Sequence, residues 1–96
     1  MTILFLDRTF GGPSLNTHSS RGGMHIYSVR GNFDGASVTL QLLNPDDPNV
    51  QYTNVENSTV TEPIDKSVEY IPNGWTVRAV IAGAGDTTNI FASIST

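Results

Sequence analysis

The sequence predicts an all-β protein: a small antiparallel β-sandwich of seven or eight short strands with an extended N-terminal arm over residues 1–23. Three observations lead there. Most apolar stretches alternate apolar and polar residues with a period of two, which turns one face of each stretch inward. Turn signals recur about every eight to twelve residues, the spacing of strands in a sandwich or small barrel. No stretch sustains the period of an amphipathic helix, and the apolar positions are rich in β-branched side chains, which favour strand.

Taken in order, Ile3-Leu4-Phe5-Leu6 is a short strand or an adhesive arm, followed by Asp7, Arg8 and Phe10. Residues 11–23 are rich in Gly, Ser, Asn and Thr, with Leu15 as their one apolar side chain. They read as an extended connector that spans ~40 Å when stretched, far enough to reach another subunit. The body, residues 24–96, opens with Met24–Arg30. Met24, Ile26 and Ser28 fall on one face of this strand, and His25, Tyr27 and Val29 on the other. Asp34-Gly35 then suits a turn with positive φ. Ala36–Leu43 alternates cleanly, with Val38, Leu40 and Leu42 inward. Asn44-Pro45-Asp46-Asp47-Pro48-Asn49 is the strongest turn, since two prolines and four Asx residues leave no room for regular structure.

Val50–Val55 is a further strand, Thr59-Val60-Thr61 a short edge strand, and Lys66–Ile71 another alternating run. Pro72-Asn73-Gly74 leads into Trp75–Ala82, the longest β-type run and the one holding the single tryptophan. Gly83-Ala84-Gly85-Asp86 reads as a hairpin loop joining it to Asn89–Ile94. On that reading the C-terminal hairpin is the scaffold on which the rest packs. The expected core is Val38, Leu40, Leu42, Tyr52, Val68, Tyr70, Trp75, Val77, Ala79, Ile81, Ile90, Ala92 and Ile94. Val80 and Phe91 have the opposite parity. They imply that both faces of those strands are covered, by a second layer or a neighbouring chain, or else they face solvent.

The 96 residues suit one small domain. Cysteine is absent, so no disulfide or thiolate chemistry is available. Charged residues make up 15%, below the roughly 25% usual for soluble domains. The net charge is −4, and Arg8, Arg21, Arg30, Lys66 and Arg78 are scattered. Nucleic-acid binding, which needs clustered cations, is therefore not expected. No apolar run approaches the ~20 residues of a membrane-spanning helix, and the start lacks the basic segment of a signal peptide.

No constellation for chemistry stands out. Asp46-Asp47, with Asp34 elsewhere, lacks the regular oxygen-ligand spacing of a calcium loop. His18 and His25 are too few for zinc. Ser, His and Asp occur without a nucleophile elbow, and the Gly pairs lack the strand-to-helix setting that cradles phosphate. Asn57-Ser58-Thr59 matches a glycosylation sequon, a frequent chance pattern. No catalytic, cofactor-binding or metal-binding residue is expected, and an enzyme is the least favoured class.

The sequence directs attention to surfaces instead. Ile3, Leu4, Phe5, Leu6 and Phe10 are too apolar for a free tail. They form a strand of the body's own sheet or dock on a neighbouring chain by strand addition. Arg78 lies mid-strand among apolar residues, either with its stem laid on the sheet or as an interface arginine, with Val80 and Phe91 as companions. Tyr27, Tyr52 and Trp75 could form an aromatic platform for a carbohydrate.

From about Val29 to Ile94 the chain resembles small structural proteins of tailed bacteriophages. The resemblance is carried by Val29-Arg30-Gly31-Asn32-Phe33-Asp34-Gly35-Ala36-Ser37-Val38-Thr39-Leu40-Gln41, and by Pro72-Asn73-Gly74-Trp75-Thr76-Val77-Arg78-Ala79 with Gly83 after it. Thr76 and Val77 set the aromatic and the arginine further apart than that pattern does. Within this class the chain is most similar to capsid decoration, or cement, proteins. The resemblance implies a non-enzymatic virion component on the outer capsid surface, made in the host bacterial cytoplasm. Its implied partners are the major capsid protein and itself, as a homotrimer, at capsomer junctions held by an N-terminal arm. A tail or head-completion subunit is the neighbouring expectation, and a carbohydrate-binding module the more distant one.

Overall fold

The computed structural model describes residues 1–68 and 71–95. They form two antiparallel sheets packed face to face, a β-sandwich. The strands are β1 (Thr2–Arg8), β2 (Gly12–Pro13), β3 (His18–Ser19), β4 (His25–Asn32), β5 (Ser37–Leu43), β6 (Tyr52–Asn54), β7 (Ile64–Val68), β8 (Thr76–Ala82) and β9 (Asn89–Ser95). The first sheet runs β1-β9-β4-β7. The second runs β2-β8-β5-β6, with β3 also pairing β8.

Period-two alternation builds the core as expected along most strands. Val38 and Leu40 of β5, Val77, Ala79 and Ile81 of β8, and Ile90, Ala92 and Ile94 of β9 are all buried between the sheets, as is Val68. Leu42 and Trp75 pack on the edge of this core, half-buried, and Tyr52 is half-buried outside it. Tyr70 lies outside the described residues. On β4 the inward face is the one holding His25, Tyr27 and Val29. Leu4, Phe5, Phe33, Ala36, Val60 and Ile71 complete the core.

The expected C-terminal hairpin does not form. β8 belongs to the second sheet and β9 to the first, so residues 83–88 cross between sheets. The β4-to-β5 connection crosses likewise. The two crossings are tied together at one end of the sandwich. The Thr88 hydroxyl donates to the Phe33 carbonyl at 2.8 Å, and the Thr87 amide donates to the Asp34 carboxylate at 2.9 Å. These bonds satisfy polar groups that a hairpin ladder would otherwise pair. Asp34 and Gly35 take φ of 45° and 82°, the positive values their turn requires. Between chain neighbours the described residues hold one true hairpin, β5 to β6. Its loop is built from side-chain turns in which Asn44 and Asp47 accept amides two residues on, each at 2.9 Å.

The N-terminal segment takes the first of its two expected courses, a strand of the body's own sheet. Residues 1–23 are extended, but along their own sandwich. β1 pairs with β9, then the chain crosses to the second sheet and pairs with β8 through β2 and β3. The reason is burial. The register of β1 shifts between Ile3 and Phe5 and again between Phe5 and Arg8. These bulges turn two consecutive residues, Leu4 and Phe5, into the core. A polar connector reaches regular pairing because buried hydroxyls splice it to the sheet. The Ser14 amide donates to the Ala79 carbonyl at 2.7 Å, and the Ser14 hydroxyl accepts the Ala79 amide at 3.1 Å. The Ser20 amide donates to the Trp75 carbonyl at 2.8 Å, and the Ser20 hydroxyl to the Ile71 carbonyl at 3.2 Å.

Candidate functional site

The candidate site is the sandwich edge formed by β1 and residues 10–16. Leu6, Phe10 and Leu15 are 68%, 59% and 92% exposed, values that set them apart from the buried apolar side chains of the same segment. Leu4, Phe5, Leu6, Arg8, Leu15 and Asn16 line one shallow concavity of about 220 Å³. Arg8 organises it. Its guanidinium stacks 3.8 Å from the Phe10 ring centre and 5.2 Å from that of Phe5. Its terminal nitrogen reaches the carbonyls of Gly11 at 3.4 Å and Pro13 at 3.3 Å. A cation held this way fixes Phe10 on the surface instead of letting it fold inward.

The patch is pinned from beneath. The Asn16 side-chain Nδ2 donates to the Ile3 carbonyl at 3.1 Å, and the Thr2 hydroxyl lies 2.8 Å from His18 Nδ1. Of the five expected arm residues, Leu6 and Phe10 therefore stand in the patch. Leu4 and Phe5 serve the core, and Ile3 is half-buried in register with Ser93. Leu15, read from sequence as part of a featureless connector, joins the patch. Its signal was its isolation: a lone leucine in a polar stretch has no local core to enter.

The second expected surface divides. Arg78 and Val80 lie on the outer face of the second sheet, whereas Phe91 lies on the outer face of the first, so the three share no surface. Arg78 is both laid on the sheet and paired. Its Nε donates to Gln41 Oε1 at 2.8 Å, and its guanidinium sits 3.7 Å from the Tyr52 ring centre. The expected aromatic platform does not form. Tyr27 is fully buried, Tyr52 is covered by Arg78, and Trp75 packs on the core. Burial also drives the Tyr27 hydroxyl's pKa far above its usual value.

His18 and His25 meet edge to face at 5.5 Å. His25 Nδ1 donates to the Gly23 carbonyl at 2.9 Å, and its Nε2 lies 3.3 Å from the Ser20 hydroxyl. Both His25 and Ser20 are buried, so this pair closes the connector onto β4 and does not face a substrate. The pKa of His18 is lowered, first by burial and then by the positive charges of His25, the Met1 α-ammonium and Arg21. On the outer face of the first sheet, Asp65 takes a 2.8 Å bond from the Ser28 hydroxyl and a 2.7 Å bond from Arg30. These lower its pKa. Among the described residues no group of three or more His, Asp or Glu side chains is placed to hold a metal ion.

The fold thus defines a small two-sheet sandwich with an apolar, arginine-centred edge. Comparison with protein-family models, with curated proteins and with solved structures gave no match.

Proposed function

We propose that the chain is a non-enzymatic virion structural protein that decorates and stabilises a bacteriophage capsid, binding at capsomer junctions through its β1 edge. The carrying observation is the exposed cluster of Leu6, Phe10 and Leu15 around Arg8, on a segment itself pinned to the sandwich. Apolar side chains held out in water on a rigid support are characteristic of a surface that another protein covers. The resemblance of Val29–Gln41 and Pro72–Ala79 to phage structural proteins supplies the class of partner, a major capsid protein. A homotrimer over the outer capsid surface suits the low charge.

Co-sedimentation with assembled capsids tests the reading. Saturable binding is expected, lost in the Leu6→Ser/Phe10→Ser double variant while its fold is kept. Equal binding by that variant would remove the patch as the anchor. Label found at the tail in electron micrographs would move the chain to the neighbouring class of virion subunit.

A further inference from the structure

We infer that the opposite end of the same edge carries a binding site for a small oxyanion. A pocket of about 390 Å³ opens there, lined by Met1, Thr2, His18, Ser19 and Arg21. Two of its walls are cationic or become so, Arg21 and His18, and two carry hydroxyls, Thr2 and Ser19. No acidic side chain lines it among the described residues. In a chain of net charge −4 this is a local reversal of sign. Guanidinium and hydroxyl donors around a pocket are the chemistry that holds phosphate or carboxylate.

The site is left unfinished by the protein itself. Arg21 is exposed and forms no salt bridge among the described residues. His18 Nδ1 lies 2.8 Å from the Thr2 hydroxyl, which leaves Nε2 as the ring nitrogen facing no such group. It is buried and finds no hydrogen-bond partner among the described residues. The groups facing His18 are His25, Arg21 and the Met1 α-ammonium, all positive or neutral. They oppose its protonation. An anion in the pocket reverses that field and favours the imidazolium. Binding and protonation of His18 are therefore linked, and affinity rises as pH falls. Arg21 and the Ser19 hydroxyl hold the ligand, while His18 sets the pH dependence. This site stands independently of the docking surface proposed above.

The test is an NMR titration of the full chain with sodium phosphate, sodium acetate and sodium chloride at constant ionic strength, at about pH 5.5 and about pH 7.5. Saturable shifts are expected for phosphate or acetate, confined to residues 1–2 and 18–21, with acetate, largely ionised at both pH values, binding tighter at the lower pH. The stronger of the two ligands identifies the class as phosphate or carboxylate. Arg21→Gln, a substitution at an exposed position, should weaken binding roughly tenfold, the worth of one charge-assisted hydrogen bond. His18→Gln should leave binding in place and abolish the gain at low pH for acetate, which, unlike phosphate, keeps the same charge at both pH values. Shifts that chloride reproduces, shifts spread equally over Arg8, Arg30 and Lys66, or an Arg21→Gln variant that binds as tightly would overturn the site.

Discussion

The hydroxyl of Ser58 stands in for a missing backbone partner of Leu40. The Leu40 amide donates to it at 3.1 Å, and the hydroxyl lies 3.3 Å from the Leu40 carbonyl and 2.8 Å from that of Val55. The edge beside β5 is interrupted here. Asn54 pairs with Gln41 and Val60 with Val38, but residues 56–58 bulge away between them. Asn57 takes a φ of 61° to make the excursion. Ser58→Ala would leave the Leu40 amide buried without a partner. The expected loss is about 1–3 kcal/mol, read as a lower midpoint in urea denaturation with unchanged slope. A loss within about 0.5 kcal/mol would mean that water replaces the hydroxyl.

Gly31, near the end of β4, and Gly35, in the turn that follows it, separate backbone strain from crowding. Gly31 and Gly35 have φ of 114° and 82°. A Cβ at Gly35 meets nothing, whereas one at Gly31 runs into the Asn89 carbonyl of β9. Gly35→Ala should cost about 1 kcal/mol, the price of a left-handed conformation. Gly31→Ala adds a backbone clash and should cost severalfold more, with loss of the β4–β9 pairing in amide exchange. Equal losses would contradict this arrangement.

Stacking of Arg78 on Tyr52 should be measurable as a coupling. A double-mutant cycle of Arg78→Met and Tyr52→Leu is expected to give about 0.5–1 kcal/mol, the range for a cation–π pair near solvent. Zero coupling would leave Gln41 as the arginine's only effective partner.

His18 should make stability depend on pH. Its pKa is lower in the folded protein than the ordinary 6.5, so the unfolded chain binds the proton more readily. The sign follows: its contribution is full above pH 6.5 and is lost as pH falls through the folded-state pKa. Denaturation midpoints of the wild type should therefore decline over that window more steeply than those of His18→Gln. Parallel curves would assign the acid sensitivity elsewhere. Asp34 and Asp65, whose pKa values are lowered by the Thr87 amide and by the Ser28 hydroxyl respectively, act below this window, as pH falls under 3.8.

Removing residues 1–23 should unfold the domain instead of releasing a functional body. The deletion strips β1 from β9, and β2 and β3 from β8, and it removes Leu4 and Phe5 from the core. Loss of the cooperative thermal transition is expected. A truncated chain that melts near the wild-type temperature would contradict this arrangement. Surface substitution at Leu6 and Phe10 is for this reason the cleaner probe of docking.

Much of the fold was legible because side-chain alternation is a local property. Val38 and Leu40, Val77 to Ile81, and Ile90 to Ile94 could be assigned to an inward face from spacing alone, and the Asx-Pro turn after Leu43 from its composition. Alternation does not state which strand a strand pairs with. Gly83-Ala84-Gly85 serves a hairpin or a crossing between sheets equally well. The Thr88 and Thr87 bonds to Phe33 and Asp34, fifty-odd residues away in sequence, belong to the crossing. The same limit applies to residues 1–23. Their composition marks a polar connector with an apolar start. Whether Leu4 and Phe5 enter the core depends on the exposed flank of β9, and whether Leu6, Phe10 and Leu15 stay outside depends on two bulges and the Arg8 stack. The sequence by itself determined the class of fold and most of its core, because burial by parity needs only neighbours along the chain. The tertiary structure alone decided the partners of β1, β8 and β9, and with them the apolar edge, because pairing between distant segments is set by hydrogen bonds and packing that no local pattern encodes.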